Sequence, residues 1–357
     1  MSKALNGVAS RVFESPEMEF DILDGFPSPS LAQAWRECLL NVEFPSHYNA
    51  PDYFLVPHFA DKRPFAVLAR NKNRVTGILT GMHSKNEVIC GLMSRPQICV
   101  DPMQDTTATL DALARGLLAE CDAEDLATVF SWKSLPLTAF ERRGFRPRVF
   151  EGNVVLDLSK GEDEVFAQFS KDRRRNIRFA EKNGVEVTLA ESKEDIAAAF
   201  EVYSAWRETE RKVVEGERST FEVFERATRL EHRKMFLARF QSRPIAFNVF
   251  RFFPGGLFES ASNGSLDEFL HLKPNELLQW RGIQWACSQG LRRHSLGGAH
   301  QFLRRFGGTV VPVVRYRLDR TWLRRHELRE TLLDLGRGTM QKMPPGVEKT
   351  VRRVLGK

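Results

Sequence analysis

Residues 302–320 read FLRRFGGTVVPVVRYRLDR, and residues 140–158 read FERRGFRPRVFEGNVVLDL. Both stretches open on Phe-x-Arg-Arg, turn through a Phe/Gly pair and close on an apolar strand. They lie 162 residues apart. A shared order of helix end, turn and strand at that distance predicts an internal repeat, two copies of one mixed α/β unit. The length agrees: 357 residues suit two domains of roughly 150–180 residues better than one core.

Working outward, each stretch predicts the same neighbours. Upstream of the first, SPSLAQAWRECLLNVEF (28–44) predicts a capped amphipathic helix. RPFAVLARN and RVTGILTGMH predict a hairpin, and NEVICGLM a third strand. TATLDALARGLLAECDAE predicts a helix and ATVFSW a strand. Upstream of the second, SKGEDEVFAQFSKDRRRNIRFAEKNG predicts a helix that starts in a capping box, Ser159 with Glu162, and stops at Asn183-Gly184. GVEVTLAES predicts a strand and DIAAAFEVYSAWRETERK a helix. MFLARF, PIAFNVFRFF and LFESASN predict a meander. LKPNELLQWRGIQWACSQG predicts a helix and RRHSLGGA a strand. The expected division is an extension over 1–27, units over 28–158 and 159–320, and a basic helical tail over 321–357.

Composition bounds the chemistry. The net charge of +7 and pI near 9.2 favour an anionic partner, whether phosphate, nucleotide, RNA or acidic lipid. Five scattered cysteines, odd in number and never in a CxxC pair, argue against a disulfide framework or a zinc site and fit a reducing compartment. The first residues carry no apolar signal region and no window holds 18 apolar residues in succession, so the expected location is the cytoplasm, without a transmembrane segment. No P-loop, GxSxG elbow, HExxH or EF-hand spacing is present, so no metal is expected.

The stretch KDRRRNIRFAEKNG (171–184) carries six Lys/Arg against two acids. At helical spacing Arg174 and Arg178 share a face, as do Lys171 and Arg175. Phe166, Phe169, Arg173, Ile177 and Ala180 approximate the opposite stripe. Without interleaved exposed aromatics this is no DNA site. Its cations suit a solvated face, the phosphates of a nucleotide-linked substrate, or tRNA held as part of a donor.

Helix, meander, helix, strand, short helix and closing strand is the order of the Gcn5-related N-acetyltransferase (GNAT) fold. Two such units in tandem resemble the FemAB-like aminoacyltransferases and their relatives in bacterial cell-envelope and exopolysaccharide systems. The resemblance spans roughly 30–320 and rests on RRRNIRFAEKNGVEV, FLARFQSRPIAFNVF, the segment from His271 to Gly298, and FLRRFGGTVVPVVRYRL. It implies a mixed α/β tandem of GNAT-like units with a short helical tail. It also implies transfer of an acyl or aminoacyl group, without a covalent intermediate, to an amine of a cell-envelope or polysaccharide precursor. Acyl-CoA or aminoacyl-tRNA would be the donor. Three positions depart from the family pattern. His294-Ser295-Leu296-Gly297 stands where F-D-x-G is usual, and Leu303 where a Lys is common. EFLHLKPNELL, which carries no glycine, replaces the Q/R-x-x-G-x-G/A loop, which disfavours a conventional acetyl-CoA enzyme. These departures leave room for a non-catalytic assembly protein that keeps the fold, and the tail for weak membrane-surface contact.

Amide-forming transfer needs a base for the acceptor amine and a donor of charge or hydrogen bonds at the carbonyl. Glu259 on LFESASN is the expected base and Arg304 the expected cation. His271, His294 and His300 are further candidates. Substrate contacts are expected from Arg174, Arg175, Arg178, Lys273, Asn275, Ser295, Gly297, Gly298, His300 and Arg305. The second unit is the expected active one, with the first forming the cleft wall.

Overall fold

The computed structural model describes residues 18–56, 62–85, 87–121, 124–209 and 219–332. The expected tail beyond Leu332 and the first 17 residues lie outside these. The first unit contains β1 (Glu19–Leu23), α1 (Pro29–Leu40), β2 (Lys62–Asn71), β3 (Arg74–Ser84), β4 (Glu87–Leu92), β5 (Arg95–Pro96), β6 (Ile98–Val100), α2 (Thr106–Glu120), β7 (Leu126–Trp132), α3 (Thr138–Glu141) and β8 (Arg146–Asp157). The second contains α4 (Glu162–Gln168), α5 (Lys171–Lys182), β9 (Val185–Leu189), α6 (Lys193–Thr209), α7 (Phe221–Thr228), β10 (Arg233–Phe240), β11 (Arg243–Phe252) and β12 (Leu257–Ser265). It ends with α8 (Pro274–Ser288), β13 (Arg293–Ser295), α9 (Gln301–Arg304) and β14 (Thr309–Asp319).

All of these strands belong to one sheet, whose main path runs β1-β2-β3-β4-β7-β14-β8-β13-β12-β11-β10-β9. The order carries a crossover. β14, last in the chain, lies against β7 of the first unit, Val313 to Asp319 opposite Trp132 to Leu126. β8 lies against β13 of the second. The two closing strands also pair with each other. Each unit is thus completed by a strand of the other, and the sheet runs unbroken across the join.

Helices cover both faces. In the second unit α5 and α8 pack over Phe236, Phe250 and Phe258, while α6 and α7 pack over Leu237, Phe247 and Val249 on the reverse face. In the first unit α2 covers Val67, Leu79 and Val129, and α1 covers Ala66, Leu68 and Ile78. The β10–β11 hairpin turns at Gln241 and Ser242, both with positive φ, as a two-residue turn between right-twisted strands requires.

The basic segment departs from its expected form. It is two helices, not one, and the Ser159–Glu162 capping box does not form. Ser159 bonds Asp157 instead, and α4 starts at Glu162, with Gly161 before it and no side-chain cap. Phe169 breaks the run because its ring is drawn into the core, edge-on to Trp280 and Phe306. Ser170 then caps α5 by accepting from the Arg173 N–H. Strand β1 and helix α7 lie in segments where no element was expected. Both are short, and gain their order from the neighbours they pair with or cover.

Candidate active site

The second unit opens where two parallel strands part. β12 and β13 pair only at Leu257–Arg293, Phe258–His294 and Glu259–Ser295. Beyond Glu259, β12 continues to Ser265 with β11 as partner. The chain after Ser295 turns instead toward β8, with Leu296 N–H donating to Val154 O and Gly298 O accepting from Val154 N–H. Gly297 makes that turn at φ +77°, a left-handed conformation that favours glycine. The divergence leaves a wedge between β12 and the 296–303 segment. In the first unit the matching parallel pair, β4 with β7, is covered by β4 folding back onto β5.

On the face that carries α8, the wedge is a cleft of about 310 Å³ lined by Asn248, Ser260, Asn263, Asn275, Gln279 and Gly297, closed at one end by His300, Phe302 and Leu303. A polar network fixes its floor. Asn248 Nδ2 (3.2 Å) and Ser260 Oγ (3.3 Å) donate to Gln279 Oε1, and Gln279 Nε2 donates to His294 Nε2. His294 Nδ1–H in turn donates to the Phe258 carbonyl at 2.8 Å. A carbonyl only accepts, so the imidazole is neutral with its proton on Nδ1. Burial holds it there, lowering its pKa to about 4. Both ring nitrogens are engaged and the ring is fully buried, so His294 orients Gln279 and is no base. The Oδ1 atoms of Asn248 and Asn275 are buried without a partner, acceptors aimed at N–H donors the protein does not supply.

On the reverse face, strand register aligns Arg233, Arg251, Glu259 and Ser295 in a row across β10, β11, β12 and β13. Glu259 is 3% exposed. Burial raises its pKa, and Arg251 and Arg95 act against that rise. Its Oε2 and the Ser295 Oγ are both buried and unpartnered. The wedge therefore has a polar cleft on one side and a carboxylate on the other.

The other expected residues are placed as follows. Asn275, Gly297 and His300 line the cleft, and Asn275 Nδ2 donates to Ser265 Oγ. Lys273 adopts φ +62° at the start of α8, which has no side-chain cap and carries Pro274 in its first turn. Gly298 continues the wall beside Leu303. Arg304 turns to the Ala299 carbonyl and to Glu151 of β8. Arg305 is exposed, its carbonyl accepting from Ser170 N–H. On α5, Arg174 donates to the Ala167 carbonyl, exposed Arg175 pairs with Asp172, and exposed Arg178 sits 5.5 Å over Phe166. None of these three cations is part of the cleft lining. His271 is exposed and bonded to the Glu268 carbonyl.

Sequence reading missed Gln279, Asn248, Arg251, Arg95 and Tyr48. A signal existed for one of them: Gln279 stands four residues after the expected Asn275 on α8, a polar stripe on a buried face. It also missed the tie between α5 and α8, where buried Arg173 pairs with Glu276 at 2.8 Å and lies 4.0 Å over the Phe302 ring.

Residues 167–305 match the family described as acetyltransferase (GNAT) domain. No curated protein matches the chain in sequence. Among solved structures, that of FemX superposes with a TM-score of 0.60 at 12% identity, over 80% of this chain and 95% of FemX. The C-terminal domain (DUF2156) of a putative lysylphosphatidylglycerol synthetase from Agrobacterium fabrum gives 0.58 at 11% identity, over 86% and 95%. A tandem GNAT protein from the clavulanic acid biosynthesis pathway gives 0.53 at 13% identity, over 86% and 99%. Residues 167–305 thus carry the match to an acetyltransferase (GNAT) domain, and the superpositions show that the chain shares the tandem GNAT-like fold of these structures.

Proposed function

We propose that the second unit moves an acyl or aminoacyl group onto an amine of a cell-envelope or polysaccharide precursor, by direct attack across the β12–β13 wedge. The observation that carries this reading is the two-sided wedge itself. The donor lies in the amide-lined cleft, its N–H groups meeting Asn248 and Asn275 Oδ1 and the unpaired edge of β12 beyond Glu259. Its carbonyl reaches the gap beside Gly297. The acceptor amine approaches from the reverse face, where Glu259 takes its proton as the C–N bond forms and the donor's leaving group departs. A carboxylate raised by burial is a stronger base than a free one, nearer the pH at which it works. Acyl-CoA and aminoacyl-tRNA are the donor classes to compare. A cytoplasmic, nucleotide-linked acceptor agrees with the basic charge of the chain, and no helix of the described residues is long and apolar enough to cross a membrane.

The test is a transfer assay on the full chain with labelled acyl-CoA and aminoacyl-tRNA, each against amine-bearing envelope precursors. Glu259→Gln should lower kcat by about 100-fold or more, the usual contribution of a positioned base, with KM for the donor little changed. A folded variant that keeps wild-type kcat overturns the assignment of Glu259.

A further inference from the structure

We propose that residues 322–332 form a docking surface for an anionic lipid bilayer, with Trp322, Leu323, Leu328 and Leu332 entering the interface and Arg325 and Arg329 meeting the headgroups. The surface is independent of the transfer reading above. It starts from an inversion. A helix on the surface of a soluble protein turns its apolar side inward and its charges to water. The helix over 325–332, which follows the end of β14, does the reverse. Its two acids face the sheet. Glu327 pairs with Arg146 of β8 at 3.0 Å, and Glu330 with Arg315 and Arg317 of β14 at 2.6 and 3.0 Å and with Arg148 of β8 at 3.3 Å. These arginines stand opposite one another in the strand register, Arg146 to Arg317 and Arg148 to Arg315, so the carboxylates relieve a repulsion between the closing strands. Hydrogen bonds from Arg315 hold the Glu330 carboxyl down at about 2, so it stays ionised and turned inward near neutral pH.

With its acids turned in, the helix is left with an outer face of leucine and arginine. Leu328 is 51% and Leu332 60% exposed, four residues apart on one side, and exposed Arg325 and Arg329 flank them at the same spacing. The acid nearest in sequence, Glu327, is taken up by Arg146 and Arg324. Just before the helix, Trp322 is 84% and Leu323 65% exposed. A built turn displays them. Buried Asp319 accepts from Thr321 N–H through one carboxylate oxygen and from the His326 and Glu327 N–H groups through the other. Between these anchors the chain passes through left-handed conformations at Leu323 (φ +54°) and Arg324 (φ +48°), which non-glycine residues hold only where their surroundings impose them. A tryptophan and two leucines thus share an outer surface with the cations Arg325 and Arg329, and Leu323 adds to it from the turn. An indole at headgroup depth, leucines below it and arginines reaching to phosphates are what an anionic bilayer interface accepts. A second copy would set one cationic face on another, and a nucleic acid would leave the leucines in water.

Cosedimentation of the full chain with vesicles of phosphatidylglycerol and phosphatidylcholine in equal parts should show saturable binding, about tenfold or more tighter than to phosphatidylcholine alone. Trp322→Ala should weaken it about tenfold or more, and so should Arg325→Gln combined with Arg329→Gln. Arg243→Gln, which removes an exposed charge at the β10–β11 turn, should bind as wild type does. Tryptophan emission should shift to the blue on the anionic vesicles as lipid covers Trp322, and Trp322→Phe should lose most of that shift while keeping most of the binding. The substituted side chains are exposed, so the variants should fold, and circular dichroism melts check that they have. Absence of binding to anionic vesicles, equal binding to neutral ones, or wild-type binding by Trp322→Ala overturns the surface. If vesicles are ignored while a tRNA mixture, or a second copy in sedimentation velocity, is bound through Trp322, the face belongs to nucleic acid or to a dimer and the proposal fails. None of these results depends on whether Glu259→Gln retains transfer.

Discussion

His294 shows how a single side chain is assigned by its neighbours. Both nitrogens are engaged and the ring is buried, so protonating it in the folded state breaks the Gln279 bond and buries a charge. Its folded pKa, about 4, lies below the ordinary value near 6.5. The unfolded chain therefore binds the proton first as pH falls. This contribution to stability is complete above about pH 6.5, declines as pH drops from there, and is gone below about 4. The full span is ~3 kcal/mol at 1.36 kcal/mol per pKa unit. Urea unfolding at several pH values, wild type against His294→Gln, should show this slope in the difference between the two proteins, because the carboxylates cancel. A difference that does not change between pH 7 and 4.5 contradicts the assignment. Sequence singled out Glu259 as the expected base, Ser295 as a substrate contact and His294 as a further candidate, yet not which face of the sheet each takes. Which face a strand residue takes depends on register, and Glu259 meets Ser295 only because two strands 36 residues apart pair in parallel.

At the scale of elements, local pattern carried most of the reading, and long-range pairing carried the rest. The hairpin of β2 and β3, the meander of β10 to β12 and the long helices α2 and α8 all follow from periodicity and turn residues. The single long helix expected from Ser159 onward failed because a large aromatic, Phe169, gains more from the core than its backbone gains from the helix. The crossing of the two closing strands was hidden, since nothing local says which β7-like neighbour each will choose. It has one sharp steric mark. Gly152 in β8 holds φ +87°, and an added Cβ would lie 1.9 Å from the Val311 carbonyl oxygen of β14. Gly161 has nearly the same φ, +85°, but an open surrounding. Gly161→Ala should therefore cost only the backbone term, about 1–3 kcal/mol at its φ +85°, ψ 163°. Gly152→Ala adds backbone-to-backbone overlap and should cost at least about 2 kcal/mol more. Chemical denaturation of the two variants tests this; equal losses contradict so close an approach of β8 and β14.

For the whole molecule the exchanged strands decide what counts as a folding unit. A cut at Gly161 separates the sequence repeats, but it leaves each half without its partner's closing strand. The first half would expose the edge of β7 that β14 covers, and the second the edge of β13 that β8 covers. Val129 on β7 and His294 on β13 are both fully buried in the intact sheet, and open strand edges pair with other chains. Residues 18–160 and 161–332 expressed separately should each give a broad, noncooperative thermal transition and associate. Mixed or coexpressed, they should recover one sharp transition, because each supplies the strand the other lacks. Sharp, independent melting of either half would mean that the closing strands add little to stability, and the two units would then be separate domains in tandem.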